Sequence, residues 1–167
     1  MQIYFMCVDR FIEELSPSLI SDVKFHLYKD MLNQIHFLSE TKVTKVVTEA
    51  LVLKLKTITF MQDDIIMRKG EYGDWMGFIG PRGSVGILDP STDIMTVMRI
   101  LSHGEYIGEM ALLYRIKRSA NVIALTWVQM HSLSRSDFED VKEHYPEEAM
   151  LLEHEIQQYM KNRYAYK

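Results

Sequence analysis

From Leu53 to Leu133 the chain is a succession of short apolar runs, cut by a turn signal roughly every ten residues. That spacing restricts the segment to an antiparallel β sandwich or jelly roll. Leu53, Leu55 and Thr57 alternate with Lys54 and Lys56, the period of a half-buried strand. Asp63-Asp64 turns the chain into Ile65-Ile66-Met67, and Lys69-Gly70 turns it again. Strands follow over 75–79, 84–88 and 94–101, separated by Pro81-Arg82-Gly83 and Asp89-Pro90-Ser91. Two more, over 120–125 and 128–133, complete the set.

Helical periodicity brackets these strands. Ser16-Pro17 is a start signal, a serine cap with proline at the first helical position. Leu19, Ile20, Val23 and Leu27 then share a face, and Met31, Leu32 and Ile35 predict a second short helix ending near His36-Phe37. Val43, Val46, Val47, Ala50 and Leu51 predict an amphipathic helix over 41–51. Beyond the strands, Ser134-x-x-Asp137 has capping-box spacing, with Phe138, Val141 and Tyr145 at helical intervals after it. Pro146 ends or redirects that helix. A last helix starts near Glu147, with Ala149, Leu152, Ile156, Tyr159, Met160 and Arg163 close to one face. The expected fold is therefore α+β, an antiparallel jelly roll flanked by N-terminal helices and two C-terminal helices.

One stretch inside the strand region is chemically distinct: Gly108-Glu109-Met110-Ala111-Leu112-Leu113, four residues, then Arg118-Ser119-Ala120. Gly108 has no Cβ to obstruct close backbone approach. Residues 110–114 can form little more than one helical turn, whose free N–H groups attract an anion. Arg118 offers a planar fork of donors suited to phosphate, with the Ser119 hydroxyl beside it. Glu109 would repel a phosphate, so it is placed facing away from one, accepting from sugar hydroxyls. For an isolated Gly-Glu or Arg-Ser pair, a solvated surface turn explains the same residues.

The fixed spacing of these elements closely resembles the phosphate-binding cassette of the cyclic-nucleotide-binding domain family. Gly70-x-x-Gly73-Asp74-Trp75-Met76-Gly77-Phe78-Ile79 followed by Gly83 resembles that family's earlier glycine-rich strand and turn. Phe138 to Pro146 and the helix after it resemble its last two helices, so the likeness covers roughly residues 40–163. Phe11-Ile12-x-x-Leu15-Ser16 and its continuation resemble the end of the linker between pore and ligand domain in cyclic-nucleotide-gated and hyperpolarisation-activated channels.

The resemblance implies two parts, a helical linker segment over 1–39 and the binding domain over 40–167. It implies a ligand, cAMP or cGMP, and no other cofactor. By matching positions, Arg118, Ser119 and the Ala111 N–H take the cyclic phosphate, while Gly108 and Glu109 take the ribose 2′-hydroxyl. Val97, Met98, Met110 and Leu112 are the expected apolar walls, with Tyr159, Asn162 or Arg163 of the lid helix over the base. The implied function is a sensor that regulates a cation channel through lid closure and linker movement, on the cytoplasmic side of a membrane. The implied partners are the channel's pore domain and three further copies joined through the linker. Two alternatives stay open: a channel-type domain that has lost its ligand, as in the ether-à-go-go branch, and a regulatory domain of a kinase or exchange factor.

Composition excludes other classes. A net charge of -4 does not suit a nucleic-acid binder. Cys7 is the only cysteine, so no intramolecular disulfide forms and a reducing compartment is expected. No apolar run approaches the ~20 residues that span a bilayer, and residues 1–8 are too short for a secretory signal and lack its basic start. A soluble protein, or a cytoplasmic piece of a longer one, is expected, with no membrane contact of its own. His26, His36, His103, His131, His144 and His154 are scattered, without the clustering a metalloenzyme needs. No nucleophile elbow, Walker loop or dinucleotide fingerprint is present, and no enzyme activity is expected.

Overall fold

The computed structural model describes residues 14–34, 44–91 and 95–164. Helix α1 (Pro17–Gln34) and helix α2 (Lys45–Lys54) lead into eight strands. These are β1 (Lys56–Phe60), β2 (Ile65–Met67), β3 (Trp75–Ile79), β4 (Val85–Leu88), β5 (Val97–Leu101), β6 (Tyr106–Ile107), β7 (Val122–Ala124) and β8 (Val128–Ser134). The single-turn helix α3 (Met110–Leu113) interrupts them between β6 and β7, and helices α4 (Arg135–His144) and α5 (Pro146–Tyr164) follow.

The strands form two four-stranded antiparallel sheets, in the orders β1-β8-β3-β6 and β2-β7-β4-β5. The expected jelly roll with flanking helices is thus the observed architecture. Strand β3 shows how the period of two divides the core. Met76 and Phe78 join a cluster with Val47, Leu51, Phe138 and Leu152 of the helices. Ile79, from the opposite face, joins Met67, Leu101, Ile107, Val122 and Met130 between the sheets. A strand buried on both sides reads as a continuous apolar run, which is why its five residues stood out in the sequence.

Three readings need correction. Met31 and Leu32 belong to one unbroken helix from Pro17 to Gln34 and do not start a second one; Ile35 to Phe37 lie outside the described residues. On that helix Leu19 (46% exposed) and Leu27 (51% exposed) do not form the buried face; Tyr28 is buried and Phe25 packs against the same cluster. Helix α2 continues through Leu53 and Lys54, so the strand begins at Lys56, where β8 first offers a pairing partner in Ser132. Residues 41–43 of the expected helix lie outside the described ones, as do 1–13 and 35–39 of the expected linker segment.

At the other end the sequence signals hold. Ser134 Oγ accepts from the Asp137 N–H, closing the N-terminus of α4. Pro146 is the first residue of α5, where its missing N–H costs nothing. No break interrupts α5 up to Tyr164.

Candidate functional site

The cassette turns at Gly108, whose φ of 77° lies in the left-handed region. Glu109 follows in helical conformation, and α3 makes its one turn: the Ala111 N–H donates to Gly108 O (3.0 Å), the Leu112 N–H to Glu109 O (3.1 Å) and the Tyr114 N–H to Met110 O (2.9 Å). The return segment is zipped to the loop before β3. The Arg118 N–H donates to Glu71 O (2.8 Å), the Gly70 N–H to Arg118 O (2.9 Å), and the Gly73 N–H to Ile116 O (3.3 Å). Two loops far apart in sequence are thereby fixed side by side.

Between the two arms of the cassette lies a cavity of about 210 Å³. Gly108, Glu109, Met110 and Ala111 line it on one side and Arg118, Ser119 and Ala120 on the other. The structure therefore brings together every residue expected to meet the phosphate and ribose. Its apolar lining differs from expectation. Met67, Ile87, Ile107, Ile116 and Val122 line the cavity with Met110. Leu112 does not; it is buried among Phe78, Tyr106 and Phe138. Val97 and Met98 sit on β5, an edge strand, with exposed side chains outside this lining. Tyr159, Asn162 and Arg163 fall within α5, and their side chains lie outside the described ones. The newly found lining residues on strands come from β2, β4, β6 and β7, and only the strand pairing that closes the roll could have placed them there.

The Arg118 guanidinium is packed into a slot made by two glycines. Nη1 donates to Gly108 O (3.2 Å) and Nη2 to Trp75 O (2.5 Å), with the Trp75 ring 5.6 Å away. A Cβ at Gly73 would overlap the guanidinium, and one at Gly108 would overlap both Nη1 and the Met67 methyl. Burial pushes the pKa of Arg118 below its ordinary value; the charges of Asp74 and Glu109 pull upward against it, and Arg135 pushes it down further. Glu109 is only 3% exposed. Its side chain makes no cap on α3, and its carboxylate adds negative charge to the pocket. The pocket so places a half-buried cation and a buried acid on adjoining walls, an arrangement suited to a ligand bearing an anionic end and neutral hydroxyls. Among the described residues no group of three or more His, Cys, Asp or Glu could hold a metal ion.

An antiparallel roll carrying a single-turn helix, a half-buried arginine and a nearby acid defines a class of small-ligand-binding domain. The chain belongs to the cyclic nucleotide-binding domain family, whose profile matches residues 57–145, more than half of its length. It is 30% identical over 145 residues to a cyclic nucleotide-gated cation channel protein of Drosophila melanogaster, covering 83% of this chain and 21% of that protein. It is 40% identical over 97 residues to potassium/sodium hyperpolarization-activated cyclic nucleotide-gated channel 2 of Mus musculus, covering 58% of this chain and 11% of that channel. The chain thus spans about a fifth or less of the length of these relatives. The N-terminal domain of a transcriptional regulator from Streptomyces coelicolor A3(2) shares the fold, with a TM-score of 0.70 at 21% identity over 80% of this chain and 92% of that one. No described helix is long and apolar enough to cross a membrane.

Proposed function

We propose that this chain is a cyclic-nucleotide sensor that regulates the gating of a cation channel, and that it acts by binding and not by catalysis. The observation that carries the ligand assignment is the Arg118 guanidinium, half-buried at the wall of a cavity and held there by backbone carbonyls. Burying a cation is costly unless an anion offsets it, and a cyclic phosphate in the cavity supplies one. Arg118 and Ser119 hold the phosphate, with the Ala111 N–H as a third donor once its turn bond to Gly108 O opens. Gly108 and Glu109 hold the ribose. The cavity is smaller than the ~300 Å³ of the smallest usual ligand sites, which fits the phosphate and sugar and leaves the base to α5.

The channel assignment rests on the gated-channel relatives and on the linker-like sequence from Phe11 that continues into α1. A ligand shifts an equilibrium only as far as it prefers one state. Phosphate contact fixes the cassette, the base draws in α5, and the displaced helices move α1 and α2. The location is then the cytoplasmic face of a membrane, with four copies joined through their linkers. The ether-à-go-go reading is disfavoured because Arg118 and Glu109 both line the cavity.

Calorimetric titration with cAMP and cGMP tests the reading. The wild type binds at least one, and Arg118→Ala loses roughly 2–5 kcal/mol, about thirty-fold to several thousand-fold in affinity. Lys117, expected to face solvent, is exposed but also lines the cavity, so the control is exposed Lys45→Ala on α2, which lies outside that lining and loses far less. Equal affinity for wild type and Arg118→Ala refutes the assignment.

A further inference from the structure

Arg135 does not line the cavity, yet its side chain ties the cassette to the loop before β3. Its Nε donates to Ala111 O (2.6 Å), and its Nη2 to Tyr114 O (2.5 Å) and Gly73 O (3.2 Å). Its backbone N–H donates to Asp74 O (2.6 Å). Ala111 and Tyr114 are at the end of α3, where carbonyls have no partner within the helix. The guanidinium thus caps the cassette helix from another element. Arg135 is also the first residue of α4, where a cation opposes the helix dipole. Helix formation therefore does not select an arginine here; the charge-assisted bonds to three carbonyls do.

The segment Gly73-Asp74-Trp75 is gripped from two sides. Arg118 lies against Gly73 and bonds Trp75 O, while Arg135 bonds Gly73 O and Asp74 O. From α4 the connection continues to α5, because Lys142 Nζ lies 2.5 Å from Glu153.

We propose that Arg135 is a positioning residue through which occupancy of the phosphate pocket is conveyed to α4 and α5. This rests on the cyclic-nucleotide reading given above. A phosphate that draws Arg118 off Trp75 O loosens one grip on the segment and reorders α3. Arg135 is bonded to both and is built into the start of α4, so it carries their displacement into the helix. Packing between α4 and the roll, through Phe138 and Val141, is the parallel route that Arg135 supplements.

The test is amide hydrogen exchange of α5, with and without saturating cAMP or cGMP, together with affinity by calorimetry. In the wild type, ligand slows exchange along α5. Arg135→Ala weakens binding by roughly tenfold and, at saturating ligand, cuts that slowing to the part carried by the Phe138 and Val141 packing. Arg135→Lys, which keeps the charge without the fork, is intermediate and guards against a simple folding failure of the alanine variant. A purely structural role would lower the melting temperature but leave the response of α5 at saturation intact, and that result overturns the proposal. A wild type that binds neither nucleotide overturns the functional reading and this inference with it. Normal α5 responses in both variants, with Arg118-dependent binding preserved, overturn this inference alone.

Discussion

Tyr28 of α1 sets its ring edge-on against His131 of β8, with centroids 4.6 Å apart and planes inclined by 64°. Both residues are buried, and His131 Nδ1 lies 3.4 Å from the Thr57 hydroxyl of the neighbouring strand. This contact docks the N-terminal helix on the sheet opposite the roll interior. Truncating a buried aromatic side chain costs about 3–5 kcal/mol when its site cannot collapse. Tyr28→Ala is therefore expected to undock α1 before the roll unfolds. Limited proteolysis and amide exchange should show α1 exposed while cyclic-nucleotide affinity changes little. Tyr28→Phe, which keeps the ring pair, should leave α1 docked.

Glu109 is expected to read the sugar. Glu109→Gln keeps the fold and weakens cyclic-nucleotide binding, by about 1.5–3 kcal/mol if one charge-assisted bond is lost. A ligand without the 2′-hydroxyl should bind the wild type weakly and respond little to the substitution. If both ligands lose the same free energy, Glu109 supports the cassette without contacting ribose.

Gly70 and Gly108 separate backbone strain from pocket geometry. Both have positive φ, 87° and 77°, so alanine at either costs on the order of 1–3 kcal/mol in strain. A Cβ at Gly70 meets nothing within 4 Å, whereas one at Gly108 overlaps Arg118 and Met67. Gly70→Ala should lower the melting temperature and spare binding. Gly108→Ala should lower both, and binding by much the larger factor in titration.

Acid should weaken the junction of α2 and α4. Lys54 Nζ bonds Asp140 at 2.8 Å, and that bond and charge hold the Asp140 carboxyl below its ordinary range. A lowered folded pKa gives stability that is present above the unfolded value and lost as pH falls through the folded one. The contribution is therefore whole at neutral pH and disappears below the ordinary aspartate value near 3.8. The pair is exposed, so the effect is small. Melting temperature measured against pH should show a shallower acid limb for Asp140→Asn, and an unchanged limb would remove the pair from the account.

Base preference is expected to follow α5. The helix runs unbroken from Pro146 to Tyr164, so by the family resemblance, counting from Tyr145-Pro146, Arg163 would stand at the position where an acidic residue favours guanine. Arginine has donors only and cannot accept the guanine N1 and N2 hydrogens. By the same resemblance the Ser119 hydroxyl would favour guanine, but one charged hydrogen bond is worth about 1.5–3 kcal/mol and should outweigh it. The wild type should bind cAMP at least as well as cGMP, with Arg163→Asp moving toward cGMP. A strong wild-type preference for cGMP, unchanged in that variant, would refute the lid argument.

The parts legible in the sequence were those whose causes are local. The cassette could be read because the turn at Gly108, the one-turn helix and Arg118 lie within eleven consecutive residues and need each other's spacing. The Ser134 cap and the start at Pro146 are equally local. Arg135 could not be read, because its worth lies in carbonyls 24 and 62 positions away in the chain. Leu19 and Leu27 have helical spacing and remain exposed, since periodicity gives a face but not the surface that covers it. Leu53 and Leu55 alternate like a strand, but a strand needs a ladder, and β8 supplies one only from Ser132.

The slot between Gly73 and Gly108 has a consequence for sensitivity. Arg118 is engaged within the protein by the carbonyls of Gly108 and Trp75. A phosphate that draws Arg118 off Trp75 O, as proposed above, must outcompete that resident acceptor. In the proposed sensor the threshold is then set by the protein's own backbone as well as by the ligand. Loosening that internal bond would make such a sensor respond at lower concentrations without adding any contact to the nucleotide.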